Sequence, residues 1–334
     1  MVKKIAKIIL GIILALSLLI AAGYFAAPVT NDPVWGINFS PSHARGLGFE
    51  PKQLFTQMLD ELQVKYVRLP AYWSDIEAQQ GQYDFSEIDE LLTIAKERDV
   101  QIILAVGRKL PRWPECHVPE WWETLDGQQK VEATFNKVRN TVTHFQTYDN
   151  IFAWQLENEP FFDYGEDCPV SERELYRQQL AIIHELDPRP VIGTDSGEKG
   201  AWLPTAWTGI NIFGSTMYRE VYLDKERRYT TYPLPAWTYR VKAGWVRMFS
   251  GANRAFGVEL QAEPWFAGTG PVQTPYEEHK RLMNSDILLE NIEYAKRSGL
   301  EQHYFWGAEW WYWLAKTHND NSLIETVKPI FRNN

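Results

Sequence analysis

An α/β fold, a single (β/α)8 TIM barrel preceded by one N-terminal transmembrane helix, is what this sequence predicts, and three observations carry the prediction. The first is a charge-free run of 20 residues from Ile8 to Ala27. As a helix rising about 1.5 Å per residue it reaches roughly 30 Å, the thickness of a bilayer's hydrocarbon core. The second is an alternation, from Val34 onward, of short β-rich runs with amphipathic helical stretches, the pattern of parallel βαβ units. The third is number: eight strand candidates over about 300 residues suit a closed (β/α)8 barrel better than an open sheet.

Lys3, Lys4 and Lys7 precede or border the apolar run, and no Lys or Arg follows it until Arg45. The positive-inside rule then places the N-terminus in the cytoplasm and everything after residue 30 outside. Residues 1–30 read as an uncleaved signal anchor ahead of a cleaved signal, whose apolar region is about 7–15 residues long and whose cut after Ala27 leaves Phe25 at the −3 position. Residues 31–334 are the barrel domain. Its strand candidates are Trp35 to Phe39, Tyr66 to Leu69, Ile102 to Val106, Ile151 to Leu156, Val191 to Thr194, Ile210 to Ser215, Ala255 to Leu260 and His303 to Trp306. Helical patterns lie between them at Pro51 to Leu62, Phe85 to Arg98, Val131 to Phe145, Glu172 to Leu186 and Tyr276 to Arg297. Ile88, Leu91, Leu92 and Ala95 share one face of the second, and Asp187 with Pro188 stops the fourth. The span Arg219 to Pro235 reads as an elaborated loop after strand six.

Composition narrows the function. Hydrophobic residues at 45% and charged residues at 23% exclude a disordered, collagen-like or coiled-coil chain. Fifteen Trp, 16 Tyr and 16 Phe supply more flat apolar surface than a core requires, so part of it is expected to face a ligand. The net charge of −9 argues against nucleic acid, which needs clustered Lys and Arg. The seven histidines lack metal-ligand spacing, and there is neither a Gly-rich phosphate loop nor a Gly-x-Ser-x-Gly elbow, so no metal or cofactor is implied. Cys116 and Cys168 are too few for a disulfide framework or a four-cysteine zinc site. They follow strands three and four, and outside the cytoplasm a single bridge between those loops is expected.

In a barrel, chemistry sits at the C-terminal ends of the strands. Strand two ends in Arg68, strand four in Glu157, Asn158 and Glu159, strand five in Asp195, strand six in Met217 and Tyr218, strand seven in Glu259 and strand eight in Trp306. Glutamates on strands four and seven face each other across the mouth, which suits glycosidic hydrolysis by one proton donor and one carboxylate nucleophile. Carboxylates about 5–5.5 Å apart give retention, and roughly 6.5–9.5 Å gives inversion.

The segment AWQLENEP (Ala153 to Pro160) resembles the acid/base strand of clan A glycoside hydrolases. Tyr66 to Leu104 is similar to strands two and three of the family 5 and family 42 members, with the strand-two arginine, the Trp-Ser-x-Ile-Glu turn and the Gly-x-Tyr-Asp-Phe helix start. The resemblance covers most of residues 34 to 315. GVELQAEPW (Gly257 to Trp265) resembles the nucleophile strand but offers two glutamates, Glu259 as first choice and Glu263 as second. The resemblance implies a membrane-anchored retaining β-glycosidase acting on poly- or oligosaccharide. It makes Glu159 the general acid/base, Asn158 the partner of the sugar 2-hydroxyl, Arg68 and Tyr218 the residues that orient the nucleophile, and Trp306 a stacking floor. Glu159 must then be protonated near neutral pH, which needs an apolar or like-charged setting. The Glu-Asn-Glu run is similar to family 35 β-galactosidases, or else Glu157 is a paired buried carboxylate. Trp73, Trp113, Trp121 and Trp122 either stack on sugars or pack the rim, and Arg108 and Lys109 either meet an acidic sugar or are solvated or ion-paired. His303 reads as a core residue. A sugar-binding barrel without hydrolysis is the alternative from another class; an endo-acting glucanase or mannanase and an exo-acting β-galactosidase both fit the enzyme reading. Oligomeric state is not legible.

Overall fold

Each strand of the barrel is mostly apolar because it is covered on both faces, by the barrel interior and by the helix layer, and its polar residues cluster toward the C-terminal end. The computed structural model describes residues 2–28, 30, 32–268 and 270–332. Its strands are β1 (Val34–Asn38), β2 (Tyr66–Pro70), β3 (Gln101–Val106), β4 (Ile151–Leu156), β5 (Val191–Asp195), β6 (Ile212–Met217), β7 (Glu220–Leu223), β8 (Arg228–Thr231), β9 (Arg254–Gln261) and β10 (Gln302–Trp306). Eight of them form a closed parallel barrel in which β1 pairs with both β2 and β10, and β6 pairs directly with β9. The barrel closes in the register Val34 opposite Gln302. Inside it lie Ile103, Ala153, Ile192, Ile212, Phe256, Val258 and Tyr304. The larger core fills the layer between strands and helices.

Local chemistry sets the elements. In the Pro51–Leu62 helix, the Glu50 side chain caps the Lys52 and Gln53 amides, Pro51 opens the first turn, and Gln63 ends it in the left-handed region. Its buried face of Leu54, Phe55, Met58, Leu59 and Leu62 contributes roughly 1.5–3 kcal/mol per large side chain.

The structure reshapes three of the expected segments, starts the expected Val131 to Phe145 helix at Gly127, and adds the helices Trp237–Phe249, Ala308–His318 and Ser322–Arg332. Tyr276 to Arg297 is two helices, Tyr276–Leu282 and Ser285–Ser298, because the Asn284 side chain accepts from the Asp286 and Ile287 amides and starts a new helix. The elaborated loop after strand six is an antiparallel hairpin, β7 with β8, pinned by a Tyr222–Tyr229 ring pair 5.1 Å apart. The sixth strand starts at Ile212 rather than Ile210, after the turn at Gly209.

Val2–Ala26 is one helix, exposed from Lys3 to Leu19 and long and apolar enough to cross a membrane. Its last turns lie against the Trp237–Phe249 helix. A Cβ on Gly244 would meet the Gly23 carbonyl at 1.7 Å, so glycine is required for this approach. The Trp245 indole donates to the Leu19 carbonyl (3.0 Å), and Arg240 donates to the Tyr24 carbonyl (2.9 Å) while covering its ring. Cys116 and Cys168 form the expected bridge between the loops after β3 and β4, with Cα atoms 5.2 Å apart.

Candidate active site

The C-terminal ends of the strands open into a cleft of about 840 Å³. β2 delivers Arg68, whose guanidinium is buried at the barrel's centre and organises three other strand ends. Nη1 donates to Glu259 Oε1 (2.7 Å) and Asn38 Oδ1 (2.9 Å), Nη2 to Asn158 Oδ1 (2.9 Å), and Nε to Gln155 Oε1 (2.6 Å). The other oxygen of Glu259 accepts from the Tyr218 hydroxyl (3.1 Å). One carboxylate thus receives a charge-assisted bond from the arginine and a second from a phenol.

Glu159 stands in a different setting. Its amide donates to Thr194 Oγ1 (2.7 Å), and its carboxyl oxygen Oε1 accepts from the Thr216 hydroxyl (3.2 Å). Burial first, then the charges of Glu259 and Glu115, push its carboxyl well above the usual range. Glu157 and Glu159 both have positive φ, 55° and 43°, a conformation uncommon for non-glycine residues that costs of order 1–3 kcal/mol each. Glu157 is not in the cleft. Its two oxygens accept the amides of Arg108 (3.0 Å) and Lys109 (2.7 Å), tying the end of β4 to the exit of β3 and favouring the alternative that it is a buried, structural carboxylate.

Glu263 is held apart from that pair. The Arg112 guanidinium donates to one oxygen, and His43 Nε2 lies 3.4 Å from the other. Burial would raise this carboxyl, but Arg112 and His43 outweigh it and hold it down at about 2. Arg112 also lies over the Trp306 ring, 4.1 Å from its centroid, so the indole that lines the cleft carries a cation on one face.

Three carboxylates or cations of the cleft carry no sequence signal beyond their neighbourhood. Glu115 accepts from Asn158 Nδ2 (3.0 Å), and burial, then the charge of Glu259, raises it to about 8. The only hint is its place beside Cys116. Glu198 accepts from the Tyr218 amide (2.6 Å) and the Tyr239 hydroxyl (2.8 Å), and so fixes the loop that carries Tyr218. Arg112 lies in the same loop as Glu115.

Several expected placements need correction. Trp73 does not line the cleft: it is fully buried at the start of the Trp73–Ile76 turn, its indole donates to Glu77 (2.7 Å), and it packs edge-on against Trp121 and Trp122. The four-residue spacing of Trp73 and Glu77 directs the ring inward. Trp113, by contrast, is 59% exposed on the cleft wall. Arg108 and Lys109 are neither solvated nor free for a sugar: Arg108 donates to the Pro169 carbonyl (2.7 Å) and Lys109 to those of Phe162 (2.7 Å) and Glu159 (3.3 Å). His303 is buried against Trp35, as a core residue.

A closed (β/α)8 barrel that brings buried glutamates from its fourth and seventh strands to one mouth defines the class of barrel glycosidases. The sequence model of cellulase, glycosyl hydrolase family 5, matches residues 32–209, and the chain belongs to that family. It is 31% identical over 187 residues to β-galactosidase BgaA of Clostridium cellulovorans, a match covering 50% of this chain and 28% of that protein. Among solved structures it is similar to xylanase 10B of Thermotoga maritima (TM-score 0.59, 12% identity, 91% of this chain and 96% of that one). It is also similar to a GH5_18 protein of Streptomyces cattleya solved with GlcNAc (TM-score 0.58, 13% identity, 84% and 71%). At these identities the structural likeness is one of fold.

Proposed function

We propose that this glycosidase hydrolyses β-glycosidic bonds of poly- or oligosaccharide with retention, Glu259 acting as nucleophile and Glu159 as general acid/base. The observation that carries the proposal is the contrast between two glutamates in one cleft: Glu259 faces the guanidinium of Arg68 and the phenol of Tyr218, while Glu159 is buried among like charges that keep its proton on. In the first step a Glu259 oxygen bonds to the anomeric carbon, the bond to the leaving oxygen breaks, and the Glu159 proton goes to that oxygen. Forming the ester removes the negative charge of Glu259. Glu159 then ionises more readily and takes a proton from the water that attacks the ester, and both carboxyl groups return to their starting states. Asn158, held by Arg68 and Glu115, is the partner for the sugar 2-hydroxyl. Trp113, Tyr164, Trp265 and Trp306 supply aromatic surface for sugar rings along the cleft.

In this reading residues 1–30 are a signal anchor and residues 31–334 a catalytic domain outside the cytoplasm. The three leading lysines, the apolar helix and the disulfide support it.

Chemical rescue with an activated aryl β-glycoside tests the chemistry. Glu159→Gln should still form the glycosyl-enzyme and regain turnover with azide, giving a product of retained configuration; Glu259→Gln should give at most a slow product of inverted configuration. Near wild-type activity of Glu259→Gln with loss in Glu263→Gln moves the nucleophile to Glu263. If none of the three substitutions matters, the chain is a sugar-binding barrel.

A further inference from the structure

The N-terminal helix and the Trp237–Phe249 helix run antiparallel, since Tyr24 meets Arg240 while Leu19 meets Trp245. The Trp237–Phe249 helix descends from the hairpin at the cleft side to the base of the barrel, where β9 begins. The free part of the N-terminal helix therefore leaves the barrel from its base. At that base lies an exposed apolar cluster. Trp207, just before β6, is 52% exposed, and Met248 and Phe249, just before β9, are 40% and 51% exposed. Trp207 and Phe249 are adjacent, the indole donating to the Phe249 carbonyl (2.8 Å), and Arg247 is exposed beside them.

Length decides what this cluster meets. The apolar stretch left free by docking, Ile8 to Leu18, has 11 residues. At about 1.5 Å per residue it reaches about 16 Å, roughly half of a hydrocarbon core. A docked helix can complete a crossing only if its docked turns, and with them the foot of the Trp237–Phe249 helix, enter the interfacial layer, while Lys3, Lys4 and Lys7 extend their stems toward the other surface. A Trp, a Phe and a Met with a neighbouring Arg suit that layer, where aromatic rings sit at headgroup level and a cation meets anionic lipid.

We propose that the barrel is seated on the bilayer by its base, with Trp207, Met248 and Phe249 in the lipid interface beside the anchor and the cleft opening away from the membrane. The proposal rests on the anchored reading above. It makes the substrate a glycan presented from the solvent side rather than a lipid-linked sugar held in the same bilayer.

The test uses the full chain in vesicles of phosphatidylcholine and phosphatidylglycerol, spin-labelled at Met248→Cys, at Phe249→Cys or, as a cleft-side control, at Gln80→Cys. All three sites are exposed, so the labels leave packing intact, and far-UV circular dichroism checks it. Collisions with lipid-soluble oxygen should exceed those with a water-soluble nickel chelate at 248 and 249, and the order should reverse at 80. Nickel accessibility at 248 and 249 equal to that at 80, in protein that stays with the vesicles through a carbonate wash, overturns the seating and leaves the anchor standing. Release of the protein by carbonate overturns both.

Discussion

Glu159 and Glu263 are both buried glutamates at the cleft, and their neighbours drive them in opposite directions. The raised carboxyl of Glu159 predicts that kcat/KM falls as pH rises through its raised value, because the acid form is the one lost there. Removing the charge of Glu259 should bring Glu159 down; a carboxyl-carbon NMR titration of Glu259→Gln should show Glu159 ionising at lower pH than in the wild type. Glu263 works in reverse. Its value in the fold, about 2 against an ordinary 4.5, contributes stability that is complete above the unfolded value and lost as pH falls toward 2. That difference is worth about 3 kcal/mol at about 1.4 kcal/mol per unit. Glu263→Gln, which leaves Arg112 buried with Glu309 3.6 Å away as its remaining carboxylate, should lose about 3 kcal/mol in denaturant unfolding at pH 7 and almost nothing at pH 2. An equal loss at both pH values would assign the effect to packing instead. Arg68, in the middle of β2, is buried inside the barrel and reaches the site through its bonds to Glu259 and Asn158. Asn158, Glu159, Tyr218 and Glu259 were legible as cleft residues because each lies at or just past the C-terminal end of a strand, where topology alone fixes position. Glu115 and Arg112 were not, because they sit in a loop shaped by contacts distant in sequence: the disulfide to Cys168 and the hold of Glu157 on the Arg108 and Lys109 amides.

At the scale of elements, the barrel strands were readable to within two residues at each end, since a strand covered on both faces leaves a nearly continuous apolar run. The helices were readable only where one face is polar. Ala308–His318 buries every residue from Ala308 to Leu314, so it has no amphipathic period to find, and Trp237–Phe249 splits its apolar residues between the barrel and the N-terminal helix. The split at Asn284 was a capping signal hidden inside a longer periodic pattern. The disulfide is the element-scale feature with the clearest measurable weight. It closes a separation of 52 residues, for which chain entropy gives about 4 kcal/mol. The Cys116→Ser/Cys168→Ser double variant should unfold at lower denaturant by a corresponding amount. It should also raise KM more than it lowers kcat, because the two loops it joins carry Glu115, Arg112 and Tyr164 on the cleft wall. A variant with unchanged KM would make the bridge a stability device alone.

For the whole molecule, the N-terminal helix touches the outer helix layer and not the cleft. Deleting residues 1–26 should therefore give a barrel that folds and keeps its kcat/KM on a soluble aryl glycoside, measured beside the full chain in detergent. Aggregation or loss of turnover would make the docked helix an integral part of the domain. The seam between β1 and β10 has a consequence in time. Val34 and its partner Gln302 are 268 residues apart, so at roughly 5–20 residues per second the first strand waits on the order of tens of seconds at the ribosome before its neighbour exists. Through that interval β1 has a bare edge, and Trp35, which ends stacked on Phe305 with the tilted ring of His303 beside it, has neither ring to rest on. A nascent chain stalled before residue 302 should accordingly be cut by protease near β1, and the full chain released from the ribosome should be resistant there.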